Sequence, residues 1–191
     1  MIRLILAYTI IGIFFVTERQ LRRGQAALTL DAGQADRGST HLIGAAFGIM
    51  INVLLVAPLL NHLRVGQFKT RSYIPWLGIP LMVVGLLLRA WANRTLGEFY
   101  TRTLVTTAQQ SIVEAGPYRL LRHPGYLGNI LMWLGAALAT ANWIALALAV
   151  LTMLTAYLYR IHSEEEMLKG AFGEKFENYR ARTWSLIPGV Y

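Results

Sequence analysis

The chain has 191 residues, of which 55% are hydrophobic and only 15% are charged, whereas soluble domains carry about 25% charged residues. Because several apolar runs approach the roughly 20 residues that cross a bilayer, the composition excludes an ordinary soluble domain and predicts an all-α integral membrane protein. The lack of cysteine excludes disulfides, thiolate metal sites and a cysteine nucleophile, and the net charge of +8 needs no nucleic-acid partner, because basic residues commonly flank membrane helices.

About five membrane-spanning segments are predicted from the apolar runs. Their bounds are 2–16, 42–60, about 74–92, 126–139 and 143 to about 159. The first run also has the length of a signal-peptide core, but no small-residue cleavage site follows it, so we expect it to remain in the protein. Only Thr140, Ala141 and Asn142 separate the last two segments, which predicts a tight antiparallel hairpin.

The basic residues predict the orientation of these segments. With the amino terminus outside, the inner loops carry twelve Arg and Lys residues and the outer side carries four, which agrees with the positive-inside rule. All ten acidic residues also fall on the inner side. We therefore expect a cytoplasmic carboxyl terminus, with the polar groups of the protein concentrated at the cytoplasmic face.

Two polar segments are predicted at that face. Residues 93–125 join the third and fourth spans, and a weak alternation in this stretch allows a short β-hairpin. Residues 163–191 carry apolar side chains at helical spacing and predict an amphipathic helix, which Gly170 and Gly173 can break. The candidates for chemistry lie in or beside these two segments.

The first candidate is the stretch RHPGY, residues 122–126. Pro124 suits the first turn of a helix, and the start of a helix offers unpaired N–H groups and a partial positive charge to a carboxylate. Arg122 and His123 add donors beside it. The alternative is that Arg and Tyr here only anchor the helix in the headgroup layer.

The second candidate is the stretch RIHSEEE, residues 160–166. Arg160 and Glu164 are one helical turn apart and share a face. They form either a simple salt bridge, with Arg160 snorkelling to the surface, or a paired site in which Glu164 binds a cation and Arg160 an anion. We expect His162 to be an interfacial residue.

Other motifs are weaker. Gly44 and Gly48 form a small-xxx-small pair, which is typical of helix packing within one chain or between two chains, so the oligomeric state stays open. No Walker A loop, GxSxG elbow or GxGxxG turn is present. The four histidines lack the spacing of a site such as HExxH, so we expect no metal.

Several elements in fixed order resemble a known family. "LGEFYTRTL", "SIVEAGPYRLLRHPGYLGNILMWLG", an apolar hairpin and "EEEMLKGAFGEKFENYRART" are similar to the isoprenylcysteine carboxyl methyltransferases, which belong with the phospholipid methyltransferases among integral membrane methyltransferases. The resemblance covers about residues 96–189. It implies one membrane domain, 1–191, in which residues 1–92 line an acceptor tunnel. Residues 93–191 would form the methyltransferase core, whose cytoplasmic helical segment completes a cofactor pocket.

The resemblance implies S-adenosylmethionine as the cofactor and S-adenosylhomocysteine as its product. Arg160 falls at the position that contacts substrate, and Arg160 and Glu164 form the implied catalytic pair. Gln110 stands where the family often has histidine, and Glu165 is the alternative in register to Glu164. The positions that match cofactor-binding residues are Gln110, Ser111, Ile112, Val113, Tyr118, His123, Pro124, Gly125, Tyr126 and Glu164 or Glu165.

The chemistry of these residues suits that cofactor. His123 and the helix start match its carboxylate, and Glu164 matches its ammonium. Aromatic and apolar side chains such as Tyr118, Ile112 and Tyr126 suit the adenine or the sulfonium. A carboxylate acceptor on a lipid or a prenylated cysteine needs only orientation, which an arginine can supply.

Three alternatives remain open at this stage. The acceptor can be a phospholipid amine, which must first lose a proton, for instance to a glutamate. The protein can be a nicotinamide-dependent reductase, because sterol reductases resemble this carboxyl-terminal architecture. It can also be a non-enzymatic membrane scaffold. Binding of S-adenosylmethionine or of a nicotinamide cofactor distinguishes the three.

Overall fold

A computed structural model describes residues 1–21, 36–68, 73–97 and 111–190. Gln110 lies outside these residues, and so does the first part of the predicted β-hairpin, which falls within residues 98–110. The described part is helical, with only two isolated β-bridges. Its helices are α1 (Ile2–Leu21), α2 (Ser39–His62), α3 (Gly78–Leu96, after a 3-10 turn at Ile74–Leu77), α4 (Pro124–Ala139), α5 (Trp143–Phe172) and α6 (Glu174–Ala181).

Three helical stretches of the described chain are long and apolar enough to cross a membrane. They are Ser39–His62, Ile74–Leu96 and Trp143–Phe172, with mean hydropathies of 2.3, 1.7 and 1.8. The other two predicted spans, 2–16 and 126–139, lie in α1 and α4, whose described residues do not meet the same requirements of length, hydropathy and charge. The prediction of about five spans is therefore confirmed in part, as a multi-pass helical membrane protein. α4 has only 16 residues, or about 24 Å at 1.5 Å per residue, which is short for a hydrocarbon core of about 30 Å.

α4 lies at the centre of the molecule. Trp133 and Met132 of α4 are fully buried, and the Trp133 ring packs 6.3 Å from Phe14 of α1 and 5.4 Å from Phe47 of α2. Tyr157 of α5 is also buried against this cluster. A short apolar helix is stable here because other helices surround it, whereas much of the apolar surface of α2, α3 and α5 faces outward.

Four glycines allow α3 and α4 to pack closely as antiparallel neighbours. A Cβ added at Gly78 would lie 2.4 Å from the carbonyl oxygen of Gly135, and one added at Gly85 would lie 2.5 Å from that of Gly128. The packing residues predicted from the sequence were different. Nothing within the described residues lies within 4 Å of a Cβ added at Gly44 or Gly48, so these two glycines take no part in packing between the described helices, and packing between two chains stays a prediction. Spacing alone does not tell which face of a helix meets a neighbour.

One end of the bundle is closed by the turn between α4 and α5, and we call this the hairpin end. Ala141 adopts a positive φ of 61°. The Asn142 carboxamide accepts hydrogen bonds from Ile144 N and Ala145 N at 3.0 and 3.1 Å and so caps α5. Its Nδ2 donates to Asn61 at 2.9 Å. The prediction of a tight antiparallel hairpin is confirmed, and the hairpin is tied to the end of α2.

The opposite end, which we call the site end, contains the described parts of the predicted inner loops. α5 continues past the predicted end of the fifth span, near Tyr159, to Phe172. The helix passes through Gly170, so the predicted break there is wrong. The chain turns instead at Gly173, whose φ of 52° is easily adopted by glycine, and α6 follows.

The carboxyl-terminal tail then returns beside the start of α4. Arg122 N and His123 N donate to the carbonyl oxygens of Trp184 and Ser185 at 2.8 and 3.1 Å, and Trp184 N donates to Leu120 O at 3.0 Å. These bonds hold the backbone that precedes α4. The tail thus positions the residues on which the site is built.

Candidate active site

The start of α4 places His123 and Tyr126 side by side. Pro124 occupies the first turn of the helix, where its missing N–H costs nothing. The rings of His123 and Tyr126 stack at 5.4 Å with an interplanar angle of 1°. The prediction that this stretch starts a helix is confirmed, and both rings face the carboxylates of α5.

Glu165 is held by the residues that precede α4. Arg122 Nε donates to its Oε1 at 2.7 Å, and His123 Nε2 lies 3.1 Å from the same oxygen. The side chains of Arg122 and Glu165 are only 10% and 19% exposed. Because both partners come from the loop before α4, Glu165 joins that loop to α5 and orients the His123 ring.

Glu164 faces the other side of the same ring pair. The Tyr126 hydroxyl donates to Glu164 Oε2 at 2.6 Å, and His123 Nδ1 lies 3.7 Å from that oxygen. The Glu164 side chain is 25% exposed. Within the described residues its Oε1 has no hydrogen-bond partner, so Glu164 retains an acceptor for a ligand.

Arg160 is buried, with 4% of its surface exposed, so the alternative in which it snorkels to the surface is wrong. Its Nε donates to the Tyr126 hydroxyl at 3.2 Å, and that hydroxyl donates to Glu164. Arg160 and Glu164 share a face as expected, and the Tyr126 hydroxyl bridges them.

Arg160 also pairs with Asp36, a residue that the sequence did not point to. Arg160 Nη1 donates to Asp36 Oδ1 at 2.7 Å, to Ser39 Oγ at 2.8 Å and to Thr40 Oγ1 at 3.0 Å. Burial alone would raise the pKa of Asp36, but hydrogen bonds from Thr40 and Ser39 and the charge of Arg160 together hold it below its usual value. The only signal in the sequence is an acid shortly before Ser39 and Thr40, a pattern of helix starts.

A second polar cluster lies nearby. Arg89 Nε of α3 donates to Glu18 Oε1 of α1 at 2.8 Å, and Asn93 Nδ2 donates to the same oxygen at 3.2 Å. A Cβ added at Gly125 would lie 3.0 Å from Arg89 Nη1. The lack of a side chain at Gly125 therefore lets this cluster approach the start of α4.

The structure brings together most of the residues that the sequence implicated. Tyr118 is buried beside them, its carbonyl accepts a hydrogen bond from Tyr179 at 2.8 Å, and burial raises the pKa of its hydroxyl. Ser111, Ile112 and Val113 lie in irregular backbone before the Gly116 turn and make no hydrogen bond to the cluster. Gln110 lies outside the described residues. The residues that meet at the site end are Arg160, His123, Pro124, Gly125, Tyr126, Glu164 and Glu165.

The fold and this cluster define a class, a multi-pass helical membrane protein with a charged site at one end of its bundle. A family model described as phospholipid methyltransferase matches residues 73–175, which is more than half of the chain. The chain belongs to this family. The matched range includes α3, α4, α5 and all of the site residues except those contributed by α1, the start of α2 and the tail.

Named relatives extend the match to most of the chain. A protein of Oryza sativa subsp. indica named "Probable protein-S-isoprenylcysteine O-methyltransferase" is 27% identical over 88% of this chain and 98% of its own length. A cobalt-zinc-cadmium resistance protein, CzcN, of Cupriavidus metallidurans is 30% identical over 78% of this chain and 64% of its own length.

A solved structure shares the fold. It is that of a eukaryotic intramembrane Ras methyltransferase, isoprenylcysteine carboxyl methyltransferase. It superposes with a TM-score of 0.68 at 22% sequence identity over 75% of this chain. The present chain spans about half of that protein, 52% of its length.

Proposed function

We propose that the protein transfers a methyl group from S-adenosylmethionine to the carboxylate of a lipid-borne acceptor, such as a prenylated cysteine. The observation that carries this proposal is the connected cluster of His123, Tyr126, Glu164 and Arg160 at the site end. Membership in a methyltransferase family and the names of the relatives support the same reaction.

The side chains at the site end fit this cofactor. An ammonium group suits Glu164, because one oxygen of its carboxylate has no partner among the described residues and a charge-assisted hydrogen bond is stronger than a neutral one. A carboxylate suits His123 and the start of α4, and the stacked ring of Tyr126 suits a sulfonium or a flat base. When bound, S-adenosylmethionine supplies a methyl group on a positively charged sulfur.

Orientation and exclusion of water are what the protein itself would contribute. Methyl transfer to a carboxylate gains from positioning and a dry site rather than from a general base. The buried guanidinium of Arg160 lies next to the Tyr126 hydroxyl and is placed to orient an acceptor carboxylate. The Arg122–Glu165 pair would hold His123 in position.

We further propose that the site end faces the cytoplasm and that the acceptor enters sideways from the membrane. The excess of basic residues on the predicted inner loops supports this orientation. A water-soluble cofactor would then reach the site from the cytoplasm while a lipid tail lies among the first three helices. Ser111, Ile112 and Val113 are retained in this proposal as cofactor contacts.

Methylation of a lipid amine is the second candidate, and one observation favours it. Arg160 is already paired with a carboxylate, Asp36, so the proposed acceptor position contains a positive and a negative group. An amine must lose a proton before it accepts a methyl group, and Asp36 is the carboxylate at the proposed acceptor position that can take it. The methylated atom of the product distinguishes the two candidates.

Calorimetry with S-adenosylhomocysteine on the purified protein in detergent tests the proposed function. We expect one binding site per chain, and we expect S-adenosylmethionine labelled in its methyl group to yield a methyl ester of N-acetyl-S-farnesylcysteine. Absence of S-adenosylhomocysteine binding to the folded protein rejects the whole proposal. Binding together with an N-methylated phospholipid product selects the second candidate.

A further inference from the structure

Arg160 is neutralised by a carboxylate of the same chain. Asp36 and Arg160 are 124 positions apart in the sequence, and their charged atoms lie 2.7 Å apart. Their side chains are only 1% and 5% exposed. Burying two charges is costly even when they are paired, so this ion pair at a proposed acceptor site calls for a functional explanation.

The Asp36 carboxylate occupies a site built for an anion. Thr40 N, at the start of α2, donates to its Oδ2 at 3.0 Å. The hydroxyls of Ser39 and Thr40 donate to its Oδ1 at 3.0 and 2.7 Å, and Arg160 completes the set. A helix amide, hydroxyls and a guanidinium bind any carboxylate, so the groups that hold Asp36 would equally hold the carboxylate of an acceptor.

We propose that Asp36 stands in for the acceptor carboxylate on Arg160 and that a carboxylate acceptor binds by displacing it. The inference rests on the proposed function, because it takes the acceptor to be a carboxylate bound at Arg160. Two carboxylates on one guanidinium repel each other in a buried site. Asp36 therefore determines the charge specificity of the site, and it keeps Arg160 oriented until an acceptor arrives.

The connection between Asp36 and α2 makes such an exchange feasible. Arg37 and Gly38 both have positive φ, 46° and 79°, and they turn the chain so that Asp36 reaches back to the start of the helix. Asp36 thus lies on a turn rather than within α2. Its carboxylate can leave Arg160 by a change at this turn while α2 keeps its packing.

Two acceptor analogues test this inference. N-acetyl-S-farnesylcysteine carries the carboxylate, and its carboxamide is a neutral match of the same shape. With the cofactor site saturated by S-adenosylhomocysteine, we expect the affinities of the unmodified protein for the acid and the carboxamide to lie within about threefold of each other, because the acid must compete with Asp36.

Removing the charge of Asp36 should change only one of the two affinities. Asp36→Asn keeps the shape, and its carboxamide oxygen can still accept the hydrogen bond from Thr40 N at the start of α2. We expect this variant to bind the acid about tenfold more tightly, with less than about a twofold change for the carboxamide.

Glu18→Gln is the matched control. Glu18 is also a buried acid at the site end and is also paired with an arginine, Arg89. It makes no contact with Arg160 in the described structure, so its neutralisation should leave the ratio of acid to carboxamide affinity unchanged. An equal shift in both variants would mean that any loss of negative charge at this end favours the acid, and it would overturn the role of Asp36.

Other outcomes are decisive as well. A preference of about a hundredfold or more for the acid in the unmodified protein would show that Asp36 does not compete, and this result needs no variant to fold. Weaker or unchanged acid binding in Asp36→Asn would also overturn the inference. Failure of S-adenosylhomocysteine to bind rejects the proposed function itself, whereas normal binding with an unchanged ratio rejects only the role of Asp36.

Discussion

The two ends of the helical bundle both bury polar groups, but they use different chemistry. At the hairpin end a neutral amide, Asn142, is fully buried and bonds to Asn61, to a nearby carbonyl oxygen and to the start of α5. The charged Arg3, which donates to Ala139 O there, is only partly buried. At the site end the groups are charged. The described residues form three buried ion pairs with arginine there, at Glu18, Asp36 and Glu165, and among them one oxygen of Glu164 has no hydrogen-bond partner.

This difference distinguishes a polar network that holds helices together from one that is suited to a ligand. Burying an amide costs less free energy than burying a charge. Hydrogen bonds between amides, like those at the hairpin end, are therefore enough to hold helices together. Charges at the other end cost more, and within the part of the chain that the structure describes one oxygen of Glu164 has no partner. A ligand that carries charges of its own explains that cost.

The largest effect on stability is expected at the hairpin end. Asn142→Ala removes the cap of α5 and the bonds to Asn61 and Val65. It should lower the free energy of unfolding by about 2–4 kcal/mol, measured by denaturant titration in detergent micelles. S-adenosylhomocysteine affinity should not change. The control is Asn52→Ala, because Asn52 is exposed and bonds only to Gly48 of its own helix.

The largest effect on binding is expected at the site end. Glu164→Gln removes the charge but keeps an acceptor for the Tyr126 hydroxyl, so the fold should persist. Affinity for S-adenosylhomocysteine should fall about 10- to 100-fold, because a charge-assisted bond to the ammonium is lost. Calorimetry measures the change. His162→Gln is the control, since His162 lies on the exposed face of the same helix, and an equal loss there would contradict the assignment.

An intermediate effect is expected in the packing between the two ends. A Cβ at Gly85 would meet backbone atoms at 2.5 and 2.6 Å, so Gly85→Ala should destabilise the protein by about 1–3 kcal/mol. Gly44→Ala meets nothing within 4 Å and should be neutral or stabilising by up to about 1 kcal/mol. Denaturant titration compares the two. Equal destabilisation by both variants would show that Gly44 also lies in a packed interface.

The smallest effect is expected at the third glutamate of the run. Glu166 pairs with Arg37, but both side chains are about half exposed. Glu166→Gln should therefore change the free energy of unfolding by less than about 0.5 kcal/mol and leave cofactor affinity unchanged. A loss of affinity comparable to that of Glu164→Gln would mean that cofactor affinity depends on the total charge of residues 164–166 rather than on Glu164 alone.

The residues that gather at the candidate site were easier to predict from the sequence than the partners that they contact. The start of α4 was predicted because Pro124 and the preceding donors form a local pattern. The shared face of Arg160 and Glu164 was expected from their spacing on one helix, whereas the meeting of Glu164 with His123 was implied only by the family resemblance. The sequence left open whether Glu164 or Glu165 is the residue that matches the family position. In the structure both carboxylates approach His123, and Arg122 holds Glu165.

The sequence by itself determined the apolar helices, the tight hairpin and the helix start at Pro124. These depend on runs of apolar residues, short connections and proline geometry, all of which act over a few neighbouring residues. The tertiary structure alone decided that Asp36 meets Arg160 and that Gly85 rather than Gly44 lies in a helix contact. Such pairs depend on which helix faces turn toward each other, and that is settled by the packing of the whole bundle around Trp133.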